Sequence, residues 1–450
     1  MADRARNCGR LTQSTAPVAP IHSAATASAV TFLYSPTFSE FLPVRVLFDV
    51  MRFPRLGGLA LASALLLPCA HSAPPLRDGQ AEAQLLQVLT LTSTGQAAQA
   101  LQLAEQLVRE HPNFQLAQLA LSDLLLARTG AVGALGSLQP APNDALATLQ
   151  ALRTESQRRI AAQQPAYQPP AGSVPAQLVQ LPSSFRHVIA VDATLSRLYL
   201  LENSTQGVRV VANYYASVGK LGIDKAVEGD QRTPLGVYFV TSNLDPKSLD
   251  AFYGAGALPL NYPNPLDVQR GKTGHGIWLH GTPPDQFARA PQATDGCVAL
   301  ANPDLERLLR TVEPRTTPVV IAEQLQWVQP TALQPVREQF HAALQAWQKA
   351  KTSGQLEALL RFYTPDFKGL KKTTLDDWRR QLQAELPRQQ GRTLQLKDLS
   401  LLHWQDSDDT MVVTFGEVAQ GARSGPIQRQ YWRHEGPQQG WKIFFEGVIG

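Results

Sequence analysis

The 450-residue chain has only three cysteines, Cys8, Cys69 and Cys297. No Cys or His spacing matches a zinc site, and no glycine-rich loop is built to cradle phosphate, so no cofactor is expected. Outside an N-terminal leader-like segment, no run approaches the ~20 apolar residues that a transmembrane helix needs. Charge of one sign is also lacking. Once residues 1–72 are set aside, 35 basic side chains face 34 acidic ones, a formal net charge of +1. That balance gives no electrostatic case for nucleic acid or an anionic membrane.

The leader is read from its three zones. Met51-Arg52-Phe53-Pro54-Arg55 is a basic start, Leu56 to Leu67 an apolar core, and Ala70-His71-Ser72 a small-residue stretch suited to cleavage. Residues 51–73 are therefore expected to be a signal peptide, and the mature protein to be exported to the periplasm or cell envelope. Residues 1–50 carry no fold pattern and are expected to be an extension ahead of a misplaced start; a genuine extension with an internal anchor is the alternative. Leu66-Leu67-Pro68-Cys69 matches a lipoprotein box poorly, because proline precedes the cysteine. With the leader removed, Cys297 stands alone. A single cysteine in an oxidising compartment is either buried and inert or functional.

A chain of this length holds two or three domains. Residues 80–163 show helical spacing: Leu85, Leu86 and Leu89, then Ala100, Leu101, Ala104, Leu107 and Val108, then Leu116, Leu119, Ala120 and Leu124. His111-Pro112-Asn113 separates two helices, as in one tetratricopeptide-like hairpin, and Ala145 to Gln163 is a further helix. This region is expected to be a cap packed on the rest, or else a partner-binding module. Prolines 165, 169, 170, 175 and 182 mark residues 164–183 as an extended linker. Short apolar runs then predict antiparallel strands at 187–192, 197–201, 208–212, 236–240, 277–280 and 319–322, with a helix capped by Asn302. Residues 184–328 form this mainly-β domain. From 335 to 450, helices bearing Phe340, Leu344 and Trp347 precede strands at 394–402, 410–415, 428–434 and 440–446, an α+β cone.

His280-Gly281 ends one predicted strand, and Thr294-Asp295-Gly296-Cys297 follows. An ordinary thiol is mostly protonated at neutral pH, so a nucleophilic cysteine needs an imidazole beside it. His280 supplies one if the two strand ends meet. Gly296 lets the backbone approach a reacting carbonyl, and the amides of Gly296 and Cys297 could form an oxyanion hole.

At these residues the chain resembles the L,D-transpeptidase (YkuD-type) family, whose pattern is His-Gly followed by Ser/Thr-x-Gly-Cys. Gly229-Asp230-Gln231-Arg232-Thr233-Pro234-Leu235-Gly236 resembles a second family element, and Val218-Gly219-Lys220 fits upstream. The resemblance implies a β-sandwich-like domain acting on peptidoglycan stem peptides in cell-wall biogenesis. Cys297 would be the nucleophile, His280 the base and Gly281 the group that orients its ring. Many members carry a second histidine where this chain has Asp295, and an arginine where it has Ala299. Those departures leave the acceptor open between an amine and water. The tail resembles a SnoaL-like or nuclear-transport-factor-like fold, as in L,D-carboxypeptidases that trim stems and shape helical cells. The alternatives are therefore a transpeptidase, a carboxypeptidase or a hydrolase releasing wall-linked protein, and an inactive wall-binding scaffold whose flanking domains recruit protein partners. Arg232, Thr294, Asp295 and Tyr262 are candidate substrate-binding residues, with Tyr253 and Asn261 in the same loop. Plain structural alternatives are an ion pair for Arg232, a turn cap for Asp295, and a surface loop that merely packs for Tyr253, Asn261 and Tyr262. His275 is expected to be an exposed loop residue.

Overall fold

The computed structural model describes residues 78–128, 143–389, 391, 393–419 and 421–449. The expected leader, the segment before it, Cys8 and Cys69 lie outside the described residues. No helix among the described residues is long and apolar enough to cross a membrane.

Helices α1 (Gln80–Ser93), α2 (Ala97–Glu110), α3 (Gln115–Leu126) and α4 (Asn143–Ala161) form the N-terminal cap. In α2 the three- and four-residue spacing buries Ala100, Ala104 and Leu107, as the sequence predicts. The expected single helix before His111 is two, because Gly95 takes a left-handed φ of 76° and ends α1. The cap is fixed by buried charge. Glu82 of α1 receives Arg159 of α4 at 2.9 Å and Arg197 of the β domain at 2.5 Å, while Arg159 also pairs with Glu155 at 2.8 Å. The Arg159 guanidinium lies 3.7 Å from the Tyr215 ring centroid. Burial opposes the Glu82 charge, but the two guanidinium groups outweigh it and hold the carboxyl below its ordinary range.

Residues 164–183 are not a bare linker. They contribute β1 (Val174–Pro175) and β2 (Leu178–Gln180), which pair with strands further along the chain. The β domain then runs β3 (His187–Asp192), β4 (Arg197–Ser204), β5 (Gly207–Gly219), β6 (Gly236–Phe239), β7 (Ala257–Pro259), α5 (Pro265–Gln269), β8 (Trp278–His280), β9 (Gln292–Thr294), β10 (Val298–Leu300), α6 (Asn302–Thr311), β11 (Pro318–Ala322) and β12 (Trp327–Val328). Its sheet has the order β6-β11-β3-β4-β5-β10-β8-β7, with β9 beside β5. The expected antiparallel sheet is mixed: β11 runs parallel to β3, β10 to β8 and β9 to β5. One face encloses Ile189, Val191, Leu198, Leu200, Leu279, Val298 and Leu300 together with Leu305 and Leu308 of α6.

The C-terminal unit comprises α7 (Gln334–Thr352), α8 (Leu356–Leu360), β13 (Tyr363–Gly369), α9 (Leu375–Gln389), β14 (Leu394–Gln405), β15 (Asp409–Ala419), β16 (Ile427–His434) and β17 (Trp441–Val448). Its strands order as β13-β17-β16-β15-β14-β2, and Phe340, Leu344 and Trp347 of α7 pack on Phe415 and Trp432, the expected α+β cone. The sheet's other face meets the β domain: Val188, Tyr199, Val237 and Phe239 share a core with Leu402, Trp404, Tyr431 and Phe444. Arg270 ties the rim, donating to Asp406 at 2.6 and 2.7 Å and to Asp408 at 2.8 and 3.1 Å.

Candidate active site

β8 and β10 lie side by side and parallel, with Leu279 opposite Val298 and His280 opposite Ala299. Side chains alternate along a strand. Leu279 and Val298 enter the core, so His280 and Ala299 project from the other face. Cys297 immediately precedes β10, in the bend that leads into the strand, two residues before the Ala299 that stands opposite His280. Cys297 and His280 are nearly enclosed, at 9% and 1% exposure.

The His280 ring is fixed from several sides. Its Nδ1 lies 2.7 Å from the Gly281 carbonyl, which can only accept, so Nδ1 carries the proton and Nε2 of the neutral ring is a base. Phe252 and Tyr253 lie beside it at ring-centroid distances of 5.8 and 5.3 Å. Burial pushes the imidazole pKa down to about 4; the Gly281 hydrogen bond opposes the fall and the Arg289 charge adds to it. The Gly281 amide donates to Tyr253 O at 3.0 Å, and Asn302 holds the residue that follows it, Thr282. The Asn302 amide accepts from Ala255 N at 2.8 Å and Thr282 N at 3.2 Å, and donates to Thr282 O at 2.8 Å. A Cβ on Gly281 would stand 2.1 Å from Asn302 Oδ1, so only glycine fits. The expected N-cap role of Asn302 gives way to this one: α6 starts at Asn302, after Ala301, and the side chain turns sideways to the His-Gly segment.

The cysteine turn is clipped to the Gly-Asp-x-x-Thr-Pro element. Buried Thr233 donates to the Gly296 carbonyl at 2.9 Å and accepts from Gly219 N at 2.9 Å. Gly296 has φ 124°, and a Cβ there would meet the Arg232 carbonyl at 2.8 Å. Burial works against the Asp230 charge, but Lys225 and the amides of Ala226, Val227 and Arg232 outweigh it and hold the carboxyl down to about 2. Cys297 Sγ lies 3.4 Å from the Gly276 carbonyl.

Several expected roles change. The Gly296 amide donates to Thr294 Oγ1 at 3.1 Å, so in this arrangement it does not face an oxyanion. Thr294 is buried and its hydroxyl also donates to the Cys297 carbonyl at 2.6 Å, which makes it a turn residue. Tyr262 is a core residue, packed edge-on to Tyr238 with its hydroxyl donating to Thr273 O at 3.0 Å. Asn261 accepts from Phe239 N at 2.7 Å. Exposed Arg232 makes no ion pair among the described residues and donates to Ile223 O at 3.0 Å. Asp295 stands at the site rim, accepting from Lys220 at 3.0 Å and Gln231 at 2.9 Å. His275 is exposed, 3.7 Å from Glu228.

Sequence reasoning missed Phe252, Asn302 and Arg289. Asn302, two residues past the Val298–Leu300 strand, carried a signal that capping statistics explained too readily. Arg289 belongs to the loop between β8 and β9, whose Phe287 stacks on Phe114 of the cap at 4.4 Å.

Residues 186–321 match the family model of the YkuD L,D-transpeptidase catalytic domain, and residues 339–447 that of the Cds6 C-terminal NTF2-like domain. The chain carries a YkuD domain followed by an NTF2-like domain. The YkuD domain belongs to a family that acts on peptidoglycan. Among solved structures, Bdellovibrio bacteriovorus Bd1075 is similar at 25% identity with a TM-score of 0.52, over 62% of this chain and 98% of that one. The helical cell shape determining protein Pgp2 from Campylobacter jejuni aligns at 24% identity with a TM-score of 0.47, over 58% of this chain and 91% of that one. No curated protein matches the chain.

Proposed function

We propose that this protein is an exported cell-envelope enzyme of L,D-transpeptidase type, which transfers the acyl group of a peptidoglycan stem peptide through a thioester on Cys297. The observation that supports this reading is the pairing of β8 and β10, in which His280, its Nδ1 tied to the Gly281 carbonyl, stands opposite Ala299, two residues after Cys297. Cys297 is the nucleophile, His280 the base, and Gly281 the group that orients the imidazole.

As the thiol proton passes to His280 Nε2, sulfur attacks the stem-peptide carbonyl. The tetrahedral adduct collapses to a thioester, the C–N bond breaks, and the imidazolium returns its proton to the leaving amine. An amine of a neighbouring stem then attacks the thioester and restores the thiol, leaving a cross-link. Water in the same position would leave a shortened stem. A Gly281 carbonyl that holds Nδ1–H keeps the tautomer correct in both halves of the cycle.

The test is acylation by a carbapenem, read as added mass on the intact protein, followed by incubation with disaccharide tetrapeptides. Wild type should be labelled and Cys297→Ala should not. Cross-linked products support the amine acceptor and tripeptides point to water. A wild type that takes no label and leaves the muropeptides untouched would favour a wall-binding scaffold and overturn the proposal.

A further inference from the structure

We propose that Arg289 forms a carboxylate-binding subsite that receives the free C-terminal carboxylate of the stem peptide that Cys297 attacks. This rests on the acyl-transfer reading above and names the part of the substrate that the site recognises.

Arg289 is half-buried in the loop between β8 and β9, and its guanidinium carbon lies 4.3 Å from the Phe252 ring centroid. Phe252 in turn lies 5.8 Å from the His280 ring, so the guanidinium is separated from the imidazole by one aromatic side chain. Its electrostatic neighbours are Asp295, Cys297 and Asp285, although burial dominates and lowers its pKa. No carboxylate lies within ion-pair distance of it among the described residues, its Nε is buried with no hydrogen-bond partner, and Nη1 reaches only the Ala293 carbonyl at 3.5 Å.

Other enclosed arginines contrast with it. Arg159 and Arg197 pair with Glu82, and Arg270 pairs with Asp406 and Asp408. Arg429 lacks a carboxylate, but it is sealed in the interdomain core against Phe239. Arg289 is thus a partly desolvated fork of donors within electrostatic range of Cys297, and no carboxylate among the described residues forms an ion pair with it. A planar guanidinium of this kind matches a carboxylate in two-point geometry.

The loop is braced for that task. Phe287 stacks on Phe114 at 4.4 Å and lies 4.8 Å from His111, and Asn113 accepts from Phe287 N and donates to Pro284 O, both at 3.0 Å. Tyr215 donates to Arg289 O at 2.8 Å and Ser217 to Ala290 O at 2.6 Å. A substrate whose leaving residue ends the chain places its carboxylate one residue, ~3.8 Å, beyond the attacked carbonyl.

The experiment compares two synthetic stem tetrapeptides, one ending in a free carboxylate and one in a carboxamide, on wild type, Arg289→Gln and Arg289→Lys. Wild type should prefer the acid in kcat/KM by about 10- to 150-fold, the range for one charge-assisted hydrogen bond. Arg289→Gln should bring the ratio near one, chiefly by raising KM for the acid, and Arg289→Lys should restore part of it. Equal slowing of both peptides by Arg289→Gln would overturn the subsite and assign the cation to the thiolate or oxyanion. If wild type turns over neither peptide and takes no carbapenem label, the acyl-transfer reading fails. The subsite is then judged by binding to Cys297→Ala: a tenfold preference for the acid, lost on adding Arg289→Gln, upholds it, and parity overturns it.

Discussion

Asn302→Ala isolates the link between α6 and the histidine. Truncation removes three hydrogen bonds, two accepted from Ala255 N and Thr282 N and one donated to Thr282 O. At about 1 kcal/mol net for each, the loss of stability should be about 3 kcal/mol, less where water refills the gap. The consequence for chemistry is separate. Gly281 lies against Asn302 Oδ1, and its carbonyl holds the His280 ring at 2.7 Å. Releasing that strand end by ~1 Å should slow acylation on the order of 100-fold, since reacting groups tolerate little misplacement. The assay is the second-order rate of carbapenem acylation, followed by intact mass well below the melting temperature, alongside thermal denaturation. Asn302→Asp keeps the acceptor for both amides but sets an oxygen against Thr282 O, so it should fall between wild type and alanine. An alanine variant that melts earlier yet acylates within twofold of wild type would refute the reasoning.

Two further outcomes test the surroundings. With the His280 pKa at about 4, the acylation rate should hold as pH drops through 6 and fall with a midpoint near 4, where the base is protonated. Because the unfolded imidazole titrates near 6.5, the stability contributed by the neutral buried ring is present above that value and is lost as pH falls toward 4; a rate midpoint at 6.5 would contradict the enclosure. Phe287→Ala removes the stack on Phe114 and should cost about 3 kcal/mol, typical of Phe truncation in a core. Limited proteolysis should then cleave between cap and β domain sooner than in wild type, and an unchanged pattern would mean that the cap is held by the Glu82 cluster alone.

The sequence alone singled out the residues proposed to do the chemistry. His280-Gly281 and Gly296-Cys297 stood out because a lone cysteine beside glycine, a histidine ending an apolar run and the Gly-Asp-x-x-Thr-Pro turn each carry a local signal. Helices α2 and α7 and the long strands β14 to β17 were legible for the same reason, since periodicity over ten residues survives tertiary context. Strands of three residues, such as β9 and β10, show no period, and their parallel pairing depends on partners elsewhere in the chain. Thr294 and Tyr262 looked like substrate ligands from their positions, and only packing revealed that their hydroxyls were already committed. Asn302 and Arg289 lie outside the motifs, so their roles arise from distance in space. The sequence by itself determined which residue types are candidates for chemistry and where the helices and long strands run; the tertiary structure decided which carbonyl fixes the imidazole, which amide is spent inside the turn, and which arginine is left without an ion pair among the described residues. Local preference is written within a few residues, whereas hydrogen-bond ownership and desolvation are settled only when distant segments are packed together.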